Sequence, residues 1–131
     1  MLEACFAGYN IEGCEINWKI CHKARANLLH FGYTATVYRS DIKDITSKYD
    51  AAIIDLPYNL LSAATDDDIM HIIVSTAAIT DRLVIVSTID ITDLIDKIEF
   101  VITDYCEVGK RGKGRFSRKV WVCERINKRS T

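Results

Sequence analysis

Four successive residues, Asp55-Leu56-Pro57-Tyr58, set a carboxylate, a proline and an aromatic ring at the end of the apolar run Ala51-Ala-Ile-Ile54. A carboxylate accepts hydrogen bonds and can take up a proton. An aromatic ring offers a stacking face. Proline, of which the chain has one, fixes a loop and donates no hydrogen bond. Two further carboxylates, Glu15 and Asp41, follow strand-like runs upstream. In an open α/β sheet, ligands gather at the carboxyl ends of the strands, where an acid just before a helix holds ribose hydroxyls. Two hydroxyls can share one carboxylate. An acid after the next strand can accept a hydrogen bond from an adenine amino group. Acids at strand ends also cap helices, so position alone leaves the roles of Glu15 and Asp41 open.

Those positions depend on the elements around them. Met1 to Gly8 reads as the last turns of a helix, with Leu2, Cys5 and Phe6 on one face and Gly8 as the stop. Tyr9 to Glu15 reads as a short strand. Asn17 is a good N-cap, and Cys21, Ala24, Leu28 and Phe31 recur at helical spacing before Gly32, so a helix is predicted from Asn17 to Phe31. Thr34 to Tyr38 is a short β-rich run. The strand before Asp55 follows, then a helix from Asp66-Asp67-Asp68 to about Ile79, its acids at the positive end of the dipole. Arg82 to Thr88 is a near-continuous apolar strand, as in a sheet covered on both faces. Thr92 to Lys97 is a short helix. Phe100 to Val108 and Arg118 to Arg125 read as two strands joined by a basic, glycine-bearing loop, which makes a long hairpin. The alternation predicts one α/β domain spanning residues 1 to 131. Its sheet would be Rossmann-like, doubly wound and mostly parallel, finished by a C-terminal antiparallel hairpin.

Composition bounds the rest. A chain of 131 residues, 49% hydrophobic and 27% charged, suits one globular domain with a real core. No signal peptide and no apolar run near the length of a membrane span is visible, so a cytoplasmic protein is expected. The five cysteines (5, 14, 21, 106 and 123) include no Cys-x-x-Cys pair and read as reduced thiols. His22, His30 and His71 are scattered, and no metal site is expected. The net charge of −1 conceals an asymmetry: residues 1 to 108 carry 8 Lys/Arg against 17 Asp/Glu, and residues 109 to 131 carry 9 against one. An acidic body with a basic end suggests an anionic partner there, or else a solvated tail.

Asp55-Leu-Pro-Tyr58 resembles the loop after the fourth strand of class I S-adenosylmethionine-dependent methyltransferases, in the branch that methylates exocyclic amino groups. Gly13-Cys-Glu-Ile-Asn17, Ala24-Arg-Ala-Asn-Leu28 and Gly32 resemble that family's second strand and following helix, and Ser40-Asp41-Ile42 its adenine-contacting turn. The tRNA guanine-N2 methyltransferase group is the most similar in kind. The resemblance runs from Met1 to about Arg125 and is strongest from 8 to 60. It implies S-adenosyl-L-methionine as cofactor, with Glu15 and Ile16 on the ribose, Asp41 and Ile42 on the adenine, and Asp55 at the junction with the substrate. It also implies that Asp55 and the Leu56 carbonyl accept the two N–H bonds of the target amine, that Pro57 fixes the loop, and that Tyr58 stacks on the extruded base. Lys110, Arg111, Lys113 and Arg115 would then contact nucleic-acid phosphates, tRNA being the expected partner.

The family's first strand and its glycine-rich turn, of the form Asp-Pro-x-x-Gly-Ser-Gly, have no counterpart in residues 1 to 131. The missing strand would lie between those ending at Glu15 and Asp55, and the chain reads as N-terminally incomplete, which would leave it inactive by itself. Guanine N2 in RNA, adenine N6 or cytosine N4 in DNA and a protein glutamine amide all present a planar NH2 group, and RNA fits the Asp-Leu-Pro-Tyr form best. Two alternatives come from other classes. One is a receiver-like signalling domain phosphorylated on Asp55; it lacks a pair of acids after the first strand. The other is a non-catalytic nucleic-acid-binding module using the basic end.

Overall fold

The computed structural model describes residues 1–57, 66–109 and 117–127. The chain divides into two compact units, Met1–Ile45 and Thr46–Thr131, each with its own sheet and core.

In the first unit, α1 (Leu2–Phe6) leads to β1 (Gly13–Glu15), α2 (Trp18–His30) and β2 (Val37–Arg39), with a 3₁₀ turn at Ile42–Asp44. Helix α2 forms where capping and periodicity place it. The Asn17 carbonyl oxygen accepts from the backbone N–H groups of Lys19 and Ile20, at 2.9 and 3.3 Å. Gly32 ends the helix at φ +77°, a left-handed conformation that glycine takes without strain. Strands β1 and β2 pair in parallel, with Glu15 in register with Arg39. The strand expected from Tyr9 begins only at Gly13, because pairing starts where the Gly13 N–H meets the Thr36 carbonyl at 2.9 Å. Cys21, Leu28 and Val37 form a small core, flanked by Leu2, Cys5, Ala24, Tyr33 and Ala35. Arg25 binds the Val37 carbonyl through Nε and Nη2 (3.1 and 2.6 Å), fastening α2 to β2.

The second unit holds β3 (Ala52–Asp55), α3 (Asp66–Ala77), β4 (Arg82–Ser87), α4 (Thr92–Asp96), β5 (Phe100–Gly109) and β6 (Ser117–Arg125). Its sheet has the order β3-β4-β6-β5. Strands β3 and β4 are parallel, whereas β6 runs antiparallel to both β4 and β5. The last strand in sequence therefore lies inside the sheet, and the hairpin places its first arm at the edge. Registered residues share a face. One face carries Ala52, Ile54, Leu83, Ile85, Trp121 and Cys123, and it packs with Ile69, Ile73 and Ala77 of α3 and with Ile91 and Ile95 at α4. Fully burying a side chain such as Leu83, Ile85 or Phe100 contributes roughly 1.5–3 kcal/mol. The opposite face carries Ile53, Asp55, Val84, Val86, Val120 and Val122.

The strands that end at Glu15 and at Asp55 stand in different sheets, and among the described residues neither β1 nor β3 has a second neighbour. A receiver domain has a wholly parallel sheet. The antiparallel pairing of β6 with β4 and β5 therefore overturns the receiver alternative.

Candidate active site

Asp55 is the last residue of β3. Strand alternation turns its side chain away from the core and turns Leu56, 3% exposed, into it. The Leu56 N–H donates to the Val86 carbonyl at 2.9 Å, which extends the pairing with β4 one residue beyond the strand. Pro57 follows and, with no N–H, cannot continue the ladder. The result is a carboxylate at a carboxyl strand end, beside a backbone held by one buried side chain and one hydrogen bond. Arg118, at the start of β6, donates from Nη1 to Oδ2 of Asp55 at 3.1 Å. Sequence reasoning passed over Arg118, reading it only as the first residue of a strand. Its single signal was a positive charge just beyond the basic run.

The first unit brings Glu15 and Asp41 to the carboxyl ends of neighbouring strands. Glu15 accepts the Asn17 N–H on Oε1 at 3.0 Å, so its carboxylate is oriented by the same turn that starts α2. Asp41 caps the 3₁₀ turn, accepting the Lys43 N–H on Oδ1 at 3.0 Å. The Ser40 N–H donates to the Glu15 carbonyl at 3.1 Å and joins the two strand ends. Cys14 reports the local field: burial first, then the charges of Asp41 and Glu15, push its thiol up from the ordinary value. Ile16 is 67% exposed between Glu15 and the cap, and Ile42 opens the 3₁₀ turn. Each carboxylate thus accepts one backbone N–H from its own turn, which fixes its direction at the strand end. Carboxylates are acceptors, of the kind that can receive the hydroxyls of a diol or the N–H bonds of an amino group. Among the described residues no group of three or more His, Cys, Asp and Glu side chains could hold a metal ion.

Tyr58 and the basic residues Lys110, Arg111, Lys113 and Arg115 lie outside the described residues. The strands that flank the basic loop are described. Near the loop, Glu107 accepts from Ser117, from Lys119 (3.2 Å) and from the Tyr105 hydroxyl (3.2 Å). Those hydrogen bonds, Ser117 foremost, hold the Glu107 carboxyl below the ordinary carboxylate range.

Comparison with known proteins agrees with this architecture. No family model matches the chain. Over 68 residues it is 38% identical to the tRNA (guanine(10)-N2)-dimethyltransferase of Methanothermobacter thermautotrophicus, a stretch covering 50% of this chain and 20% of that protein. The chain therefore spans about a fifth of that relative's length. Among solved structures, a SAM-dependent methyltransferase from Methanosarcina mazei superposes with a TM-score of 0.77 at 12% identity, covering 95% of this chain and 86% of that one. The magnesium protoporphyrin IX methyltransferase of Synechocystis PCC 6803, solved with bound SAM, gives a TM-score of 0.73 at 18% identity, covering 92% and 61%. The fold is that of the class I S-adenosylmethionine-dependent methyltransferases. Within that class the relatives range from a tRNA enzyme to a porphyrin enzyme, so fold alone does not name a substrate.

Proposed function

We propose that this chain is part of an S-adenosylmethionine-dependent methyltransferase acting on an exocyclic amino group of a nucleic-acid base, specifically guanine N2 in tRNA. The observation behind this reading is Asp55-Leu56, an exposed carboxylate and a pinned backbone at the carboxyl end of β3, in a chain 38% identical over 68 residues to a tRNA guanine-N2 dimethyltransferase. The two units are read as parts of one catalytic domain.

An exocyclic amine is a poor nucleophile because its lone pair is delocalised into the ring. Asp55 and the Leu56 carbonyl accept its two N–H bonds, which draws the nitrogen out of conjugation and directs its lone pair. Pro57 holds the loop without competing as a donor. Tyr58 stacks on the extruded base, a contact worth about 1–3 kcal/mol. Glu15, with Ile16 beside it, binds the ribose hydroxyls of the cofactor, and Asp41 with Ile42 binds its adenine. S-adenosylmethionine supplies the methyl group on an electrophilic sulfonium. Acceleration comes from placement rather than covalent help, and Asp55 takes up the proton released by the methylated nitrogen. Lys110, Arg111, Lys113 and Arg115 hold phosphates and so position the RNA without reading its bases. No described helix is long and apolar enough to cross a membrane, and a tRNA substrate points to the cytoplasm.

The test is transfer of labelled methyl from S-adenosylmethionine to tRNA by the full-length protein, with Asp55→Ala alongside. The expected result is N2-methylguanine in the product and loss of transfer in the variant. Methylation of another amino group would redirect the substrate assignment. Failure to bind S-adenosylmethionine in calorimetry would overturn the enzymatic reading in favour of a nucleic-acid-binding module.

A further inference from the structure

Asp55 and Arg118 are 63 residues apart in sequence and do not sit on neighbouring strands. Strand β4 lies between β3 and β6. Asp55 is in register with Val86, and Val86 with Val120, so Arg118 begins two residues along β6 on the same face. Strands are ~4.8 Å apart, so the arginine side chain crosses roughly 10 Å of sheet to place Nη1 on Oδ2. The side chains are 41% and 61% exposed, and an ion pair that wet adds little to stability. Its consequence is orientation. An aspartate's terminal torsion is broad, so a lone carboxylate at a strand end samples many directions.

We propose that Arg118 is a positioning residue for the amine site. The proposal rests on the reading of Asp55 as the amine acceptor. By occupying Oδ2, Arg118 selects one rotation of the carboxylate and leaves Oδ1 to receive the N–H of the target. Constellations of this kind work only when held to within about 0.5 Å and 10–20°. Arginine suits the task because its planar fork keeps a fixed direction where an ammonium does not.

Single-turnover methyl transfer to tRNA, measured with the full-length protein, separates positioning from substrate binding. Arg118→Ala is expected to slow the single-turnover rate about tenfold, between the cost of an exposed pair and that of a misplaced catalytic group. Its affinities for tRNA and S-adenosylmethionine should stay within about twofold of wild type. Arg118→Lys should recover part of the rate. An unchanged rate in Arg118→Ala overturns the proposal. So does a loss confined to tRNA affinity, which would make Arg118 a phosphate contact. If Arg118→Ala does not fold, Arg118→Gln and Arg118→Lys carry the same comparison. Wild-type protein that methylates no tRNA overturns the functional reading and this proposal together, a result distinct from active wild type with an equally active variant.

Discussion

Trp121 on β6 donates its indole N–H to the hydroxyl of Ser87 on β4 at 2.8 Å, and the Ser87 hydroxyl in turn donates a hydrogen bond to the Ile89 carbonyl at 2.7 Å. Both side chains are buried. The chain of bonds lets a large aromatic sit in the core at the junction of a parallel and an antiparallel pairing while its one polar atom stays satisfied. Ser87→Ala should therefore leave a buried donor without a partner and cost about 1–3 kcal/mol. Trp121→Phe in the same background should cost less than the sum of the two single changes, as contacting residues do. Denaturant unfolding of the four proteins in that cycle checks this.

Glu15→Ala in the full-length protein should weaken S-adenosylmethionine binding by about 10- to 100-fold, the equivalent of losing a charge-assisted hydrogen bond. Because Glu15 also accepts the Asn17 N–H, the thermal melt must be followed beside the titration. Asn17→Ala serves as control: it removes the cap from α2, at a cost of ~1 kcal/mol, but leaves the carboxylate. Unaltered affinity in Glu15→Ala with an unaltered melt would remove Glu15 from the ribose site.

Burial pushes the Cys123 thiol up to about 11 from an ordinary value of 9.0. The folded chain therefore holds that proton more tightly than the unfolded chain. Its contribution to stability is complete below pH 9 and is lost as the pH rises through about 11. Between these limits the stability of wild type should fall more steeply than that of Cys123→Val, which has no thiol to ionise, in denaturant melts along a pH series. At pH 8 an alkylating reagent should label exposed Cys106 well before buried Cys123.

Gly32 holds a φ of +77° at the end of α2, whereas Gly109 at the end of β5 has no positive φ and open space where a Cβ would stand. Gly32→Ala should lower stability by about 1 kcal/mol, since alanine is strained in that region. Gly109→Ala should stay within ~0.5 kcal/mol of wild type. Equal melting temperatures for the two variants would show that the turn after α2 relaxes without glycine.

The elements themselves were legible because their signals are local. Asn17 and Gly32 bracket α2 through hydrogen bonding and backbone freedom that involve only adjacent residues. The apolar run and the proline after Leu56 were enough to place Asp55 at the end of a strand, and Glu15 and Asp41 stood out because each follows a strand-like run. Tertiary structure decided the rest. It set β6 between β4 and β5, gave β1 and β2 a sheet of their own, and delivered Arg118 across β4 to Asp55. Those outcomes depend on pairings between residues far apart in the chain. Their free energy is set by loop closure and by packing against α3 and α4, neither of which a local window of sequence contains.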